Sequence, residues 1–205
     1  MISDQFSPSH YRVVHKLGYG SCSTTWLARD ERLANYVAIK FAVSELDRSF
    51  ESAILRILRD DEGCHATADA SLAMIPEILD DFQLEGLDIQ GAMRKHHCLV
   101  TTRARMSISE ARDASRSLLF QLSVARTIAA QLIQAVAFVH SRGIIHADLH
   151  EANILLRLPD SIDNLTPDQL YENDTISLAD SRIFLSDFSE SFQPEVGVQQ
   201  SSHTP

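Results

Sequence analysis

Residues 144–156 read Ile144-Ile145-His146-Ala147-Asp148-Leu149-His150-Glu151-Ala152-Asn153-Ile154-Leu155-Leu156. Polar residues with chemical capability stand between two apolar runs, and Ile154, Leu155 and Leu156 read as a short buried strand. Asp148 and Asn153 are five residues apart, and His146 stands two before the aspartate. A loop anchored at both ends by buried apolar residues holds a carboxylate and an amide in fixed positions. Phosphoryl transfer needs such a pair: an Asp accepts the proton of an attacking hydroxyl and an Asn holds a metal ion on the polyphosphate. A plain surface turn is the competing reading, and the rest of the chain weighs against it.

Downstream, Arg182 to Ser186 reads as a strand leading into Asp187-Phe188-Ser189. Asp187 follows Asn153 by 34 residues, so two loops supply two hard oxygen donors of the kind magnesium takes. A turn-forming Asp is the alternative. Upstream, Val124, Ile128, Leu132, Val136 and Val139 recur at helical spacing. They predict a helix over 122–141, with Gly143 suited to its C-terminal stop. His146, Asp148 and His150 alternate in a way that could also bind zinc on one strand face, although no second His/Cys cluster completes a shell. His96-His97 reads as a polar strand entry.

Farther out, residues 11–43 predict three strands. Tyr11 to Leu17 runs into the turn Gly18-Tyr19-Gly20, and Thr24 to Ala28 follows. Tyr36 to Val43 alternates, with Val37, Ile39, Phe41 and Val43 on one face and Ala38, Lys40 and Ala42 on the other. Gly18-x-Gly20 lets backbone N–H groups approach a phosphate, though a plain hairpin reads the same way; no Gly-Lys-Ser/Thr follows, which excludes a Walker-type loop. Lys40, closing Val37-Ala38-Ile39-Lys40, shares its strand face with the small residues Ala38 and Ala42, where a flat base could lie with the ammonium on its phosphates. A lysine so placed needs a carboxylate, and Glu51 is the choice over Glu45. Leu46, Phe50, Ile54, Ile57 and Leu58 place a helix with that face inward. Residues 60–77 are polar and Ala-rich. Ile78 to Leu84 predicts a strand, Glu85 to Lys95 a turn, and Cys98 to Thr102 a buried strand. Residues 103–117 predict a connector with a short helix, Pro159 to Asp174 a polar insert, and Gln193 to Pro205 holds little that packs.

At 205 residues with 44% apolar content, the chain suits one domain or a small two-lobed unit. A net charge of −10 argues against a general nucleic-acid or acidic-membrane surface. Cys22, Cys64 and Cys98 have no metal-type spacing and suggest a reducing compartment. The first residues lack a basic start and a long apolar run, so no signal peptide is expected, and no stretch reads as transmembrane length. A cytoplasmic or nuclear setting is expected.

Order and spacing carry more than any single motif. A glycine turn, Ala-x-Lys, a helix with Glu, a long helix, His-x-Asp-x5-Asn and Asp-Phe-Ser follow one another. This resembles the eukaryotic protein kinase fold, and the likeness is closer to the serine/arginine-rich protein-specific kinases, particularly the fungal ones. Tyr11 to Gly20, Ser23-Thr24-Thr25-Trp26-Leu27-Ala28-Arg29-Asp30, His97-Cys98-Leu99-Val100, Ile144 to Leu156 and Ile183 to Phe188 carry it. The resemblance implies an α+β, two-lobed fold with an incomplete C-terminal lobe: residues 1–102 the N-terminal lobe and 103–205 part of the second. It implies ATP and magnesium as cofactors and an Arg/Ser-rich protein substrate such as a splicing factor, without direct nucleic-acid or membrane binding. By position, Gly18, Gly20 and Ser23 would cover the phosphates, and Lys40, paired with Glu51, would hold two of them. Thr101 would guard the back of the adenine pocket, with Thr102 to Ala104 as the hinge and Ala38 and Leu155 on either side of the base. Asp148 would be the catalytic base, and Asn153 and Asp187 the metal ligands.

Departures from that pattern are informative. Ala147 replaces an Arg that senses activation-loop phosphorylation in many kinases; the resembled family lacks it too, which implies no such control. His150 stands where most protein kinases carry a Lys that contacts the transferred phosphate, implying slower transfer. A His there is frequent in small-molecule kinases of the aminoglycoside and choline type. Ser189 replaces a Gly, and Lys40 and Glu51 are only eleven residues apart. The sequence stops at Ser202-His203-Thr204-Pro205, in what resembles the middle of the activation segment. An incomplete lobe would leave apolar surface exposed around Val124 to Val139. A non-catalytic relative of the same fold and a small-molecule kinase therefore stand as the alternatives.

Overall fold

Strand alternation in the first half of the chain builds an antiparallel sheet, and helical periodicity, most of it later, builds the helices of a second unit. The computed structural model describes residues 5–6, 10–20, 23–42, 49–60, 68–87, 92–115, 117–166, 169 and 182–194. Val43, Glu45, Leu46, Cys22 and Cys64, on which expectations rested, lie outside them. Two compact units result. The first holds Met1–Ser49, Glu77–Arg105 and Leu158–Ser177; the second holds Phe50–Pro76, Met106–Arg157 and Leu178–Pro205. One crossing, between Arg105 and Met106, falls three residues from the boundary read at 102/103, and the chain passes between the units four more times.

In the first unit, β1 (Gln5–Phe6), β2 (Tyr11–Tyr19), β3 (Ser23–Asp30), β4 (Asn35–Ala42), β5 (Ile78–Leu87) and β6 (Met93–Thr102) form one sheet in the order β1-β2-β3-β4-β6-β5. All described pairings in it are antiparallel. The expected turn over 85–95 is instead strand at both ends: β5 runs to Leu87, β6 starts at Met93, and Glu85 pairs with Lys95. His96 and His97 accordingly lie inside β6, His96 Nδ1 3.0 Å from the Ala42 carbonyl and His97 Nε2 2.5 Å from Asp81. Successive residues face opposite sides. Val37, Ile39, Ala28, Cys98 and Val100 therefore pack on one face with Tyr11. Val14, Leu27 and Tyr36 pack on the other with Ile162. Ile162 belongs to a 3-10 helix, Asp160–Asn164, within the stretch expected to be a polar insert; it is 1% exposed.

The second unit contains α1 (Ser49–Arg59, from Phe50 on), α2 (Ala68–Leu72), α3 (Ile108–Asp113) and α4 (Leu122–Ser141). β7 (Ala104–Ser107), a strand within the expected connector, leads into this unit. With β8 (Ile154–Arg157) and β9 (Ile183–Leu185) it forms a second sheet in the order β7-β8-β9. Ser107 caps α3 by accepting the Glu110 N–H, and Glu110 returns a carboxylate to the Ser107 N–H. The inward face of α1 differs from the expected one. Glu51, Ser52, Ile54, Leu55 and Leu58 are buried, whereas Phe50 and Ile57 are 47% and 37% exposed.

The bounds of α4 match the expected helix, and its stop is a Schellman arrangement. Gly143 takes φ +69°, its N–H reaches the His140 carbonyl at 2.9 Å, and the Ile144 N–H reaches that of Val139 at 3.2 Å. Ile128 of α4 packs with Ala111, Ile154, Leu156 and Ile183, while Ala135, Phe138 and Val139 are also buried. Its outer face exposes Leu122 and Ile133, at 64% and 70%. Contrary to the expectation of no such stretch, α4 is long and apolar enough to cross a membrane by length and composition. The core helix of a soluble protein passes the same test.

Candidate functional site

The Schellman stop of α4 delivers Ile144 into the core, and Ile145 exchanges two backbone hydrogen bonds with Phe192, at 2.8 and 3.0 Å. The loop between these anchors and β8 is thereby held. His146 is its organiser. Its ring is buried against Phe188, with centroids 4.8 Å apart. Nδ1 accepts the Asp148 N–H at 3.4 Å, so Nε2 carries the proton and donates to the Ser186 carbonyl at 3.0 Å. Burial pushes the His146 pKa below its ordinary value; the Ser186 carbonyl opposes this. The neutral ring satisfies both partners. Ala147 then takes φ +65°, a left-handed conformation that an L-residue adopts at a cost of about 1–2 kcal/mol.

Asp148 and Asn153 are brought together. Asn153 Nδ2 donates to the Asp148 carbonyl at 2.9 Å and to its Oδ2 at 3.0 Å. The asparagine is buried at the end of the 3-10 helix Glu151–Asn153. His150 caps that helix, its Nδ1 accepting the Ala152 N–H at 3.2 Å. His150 Nε2 lies 3.4 Å from Asp148 Oδ2 and 3.1 Å from Asn153 Nδ2. His146 and His150 are thus engaged with different partners.

Ser186 ties the second loop to the first. Its N–H and its hydroxyl both donate to the Asn153 carbonyl, at 2.9 and 3.0 Å. Asp187, the next residue, takes φ 62° and ψ 72°, which turns the chain sharply after β9. Glu51, buried on α1, accepts the Phe188 N–H at 3.3 Å. It therefore contacts the Asp187-Phe188-Ser189 segment from its own unit. Sequence reasoning singled out Asp148, Asn153 and Asp187 and passed over Ser186, which joins their two loops. The fit to a divalent cation can be judged from the donors. Asn153 commits its amide nitrogen to Asp148, which leaves Oδ1 as its ligating atom, and Asp187 adds a carboxylate. That is a hard-oxygen set of the type magnesium takes.

In the first unit, Gly18 lies in β2 opposite Thr25, just after a register shift, and the Gly20 N–H closes a turn on the Ser23 carbonyl at 2.8 Å. No atom lies within 4 Å of where a Cβ would stand on either glycine, so the space beside that backbone is open. Lys40 pairs across to Thr25 and Leu99, and Ala38 to Leu27 and Thr101. Ala38 is buried, and so is Ala104. Thr102 is fixed by reciprocal contacts with Glu77: its N–H donates to the Glu77 carbonyl at 3.0 Å and its hydroxyl accepts the Glu77 N–H at 3.1 Å. Leu155 belongs to the second unit, paired with Phe184. Of the expected residues, Ala38, Thr101 and Thr102 are neighbours on β4 and β6, while Asp148, Asn153 and Asp187 cluster in the second unit.

Comparison with known proteins gives a consistent identification. The protein kinase domain family matches residues 11–163. The serine/threonine-protein kinase spk-1 of Caenorhabditis briggsae is 29% identical over 167 residues, 77% of this chain and 13% of that protein. The SRSF protein kinase 3 of Mus musculus is 28% identical over 166 residues, 78% of this chain and 27% of that protein. The dual specificity protein kinase lkh1 of Schizosaccharomyces pombe is 26% identical over 150 residues, 72% of this chain and 20% of that protein. The chain thus spans between about an eighth and a quarter of the length of these relatives.

Proposed function

The chain belongs to the protein kinase domain family, and from that premise we propose that it transfers the γ-phosphate of ATP to serine in Arg/Ser-rich proteins such as splicing factors, in the cytoplasm or nucleus. The observation that supports this most is the Asp148–Asn153 pair, with Ser186 joining it to Asp187. All three relatives above are named as protein kinases, which supports the choice of protein over small molecule, and the name of the SRSF protein kinase supports the choice of substrate class.

In this reading Asp148 orients the serine hydroxyl and accepts its proton as the oxygen attacks phosphorus. Asn153 Nδ2 holds one carboxylate oxygen of Asp148, which keeps the acceptor aimed. The open space beside Gly18 and Gly20 lets the phosphates lie against that backbone, with Ser23 at the far side of the turn, and Lys40 holds two of them by charge. Thr102 and Ala104 position the base, with Ala38 contributing apolar contact. Asn153 and Asp187 would hold magnesium, which supplies charge neutralisation on the triphosphate.

The test is phosphotransfer by the chain from radiolabelled ATP to an Arg/Ser peptide, beside choline and an aminoglycoside. Binding is followed in parallel by thermal shift with ATP, with and without magnesium, in wild type and Asp187→Ala. Label on the peptide, with a magnesium-dependent shift lost in Asp187→Ala, is the expected result. Label only on a small molecule overturns the substrate class. A cooperative melt that ATP does not shift overturns the catalytic reading.

A further inference from the structure

At the edge of β4 one residue has outrun its sheet partner. β4 pairs with β6 from Val37 opposite Thr102, so the neighbouring Tyr36 has no β6 residue beside it. Its backbone groups are satisfied in another way. Asp163 Oδ1 accepts the Tyr36 N–H at 2.8 Å, and Arg103 Nη1 donates to the Tyr36 carbonyl at 3.1 Å. Arg103 and Asp163 are themselves an ion pair, Nη2 to Oδ2 at 3.0 Å, with side chains 11% and 26% exposed. Between them they stand in for the absent rung of the ladder.

The insert after β8 is held on this spot by several further contacts. Tyr36 Oη donates to the Leu165 carbonyl at 2.9 Å, and Arg29 Nη1 to the Asp163 carbonyl at 2.9 Å. The Arg29 guanidinium lies over the Tyr36 ring at 4.7 Å, and Ile162 fills the core beneath. Arg103 stands between Thr102 and Ala104, which the proposed function assigns to the adenine. We infer that Asp163 is a positioning residue for that nucleotide wall, holding Thr102 to Ala104 through its ion pair with Arg103 and its hydrogen bond to Tyr36. The inference rests on the kinase reading for its link to nucleotide, and on the contacts above for the clamp itself.

Asp163→Asn keeps an oxygen for the Tyr36 N–H but removes the charge facing Arg103; Asp163→Ala removes both. Two measurements decide. Amide hydrogen exchange reads the clamp without nucleotide: faster exchange over Thr101 to Ala104 and at Tyr36 is expected, in the order Ala, Asn, wild type. Steady-state kinetics with an Arg/Ser peptide reads its use. The KM for ATP is expected to rise about five-fold in Asp163→Asn, a change typical of losing one partly buried charged contact, with kcat and the peptide KM unchanged. Unchanged exchange overturns the clamp. Faster exchange with an unchanged KM for ATP shows a role in stability alone and overturns the positioning role. If wild type uses no ATP, the kinase reading fails, and exchange still decides whether the clamp exists. Should Asp163→Ala not fold, Asp163→Asn and Arg103→Gln carry both measurements.

Discussion

Replacing His146 by alanine is expected to cost the second unit about 3 kcal/mol at pH 7.5, and less at lower pH. Three contributions are readable. The Ser186 carbonyl loses its donor, worth about 1 kcal/mol. The tilted contact with Phe188 is lost, worth about 1 kcal/mol. The emptied volume at a site 4% exposed adds about 1 kcal/mol more. For a chain of this size, such a loss corresponds to a melting temperature lower by about 6–12 °C. The pH dependence follows from protonation. Burial lowers the His146 pKa in the folded chain, so the fold favours the neutral ring. The unfolded chain takes up the proton near pH 6.5, about the ordinary value. The stabilisation is therefore full above that pH and is lost as pH falls through the lower folded value. The difference between wild type and His146→Ala thus narrows in acid. Urea melts followed by circular dichroism at 222 nm suit the test, because α1 to α4 lie in the second unit. Trp26, the single tryptophan, reports the first unit separately. A gap that is equal at pH 7.5 and pH 5, or below about 0.5 kcal/mol at pH 7.5, refutes the argument.

Gly143→Ala forces a Cβ into the left-handed region at φ +69° where no neighbour crowds it, so the cost is conformational, about 1–2 kcal/mol in the same melts. An unchanged midpoint would show that the helix ends without that conformation. The Cys98 thiol is fully buried, which pushes its pKa up to about 12; iodoacetamide at pH 8 is expected to leave it unmodified in the folded chain and to alkylate it in urea, by peptide mass spectrometry. His150→Ala removes the cap on the Ala152 N–H and is expected to lower stability by about 1 kcal/mol, whereas His150→Asp, a better cap, restores it. Equal losses in both would point to the ring's contact with Asn153 instead.

Much of this architecture was legible in the sequence where one physical signal dominated. α4 was readable end to end because its apolar residues keep helical spacing and Gly143 supplies a cheap left-handed stop. That the loops carrying Asp148, Asn153 and Asp187 meet was readable from their order along the chain, since buried strands at fixed positions bring their ends together. The β5–β6 hairpin was underestimated because its outer half is stabilised by charged cross-strand neighbours, such as Glu85 and Lys95, instead of apolar alternation. The inward face of α1 was misread for a related reason. Glu51 and Ser52 are buried by hydrogen bonds, to the Phe188 N–H and from Arg56, which hydrophobic spacing does not register. Ile162 is one of a few scattered apolar residues in a polar stretch, which keep no sustained period to detect. Its partners in the core, Val14, Leu27 and Tyr36, lie far away in sequence.

That separation governs the order in which the chain can fold as it is synthesised. Tyr36 and Asp163 are 127 residues apart, and everything from α1 to β8 is made between them. The six strands of the first sheet leave the ribosome by residue 102, yet the piece that seals the end of β4 emerges only some sixty residues later. A nascent first unit must wait, with one core face uncovered, while helices of the other unit are already forming. Contacts of such long range close slowly. This interval, more than the final stability, is where a chaperone would find its substrate.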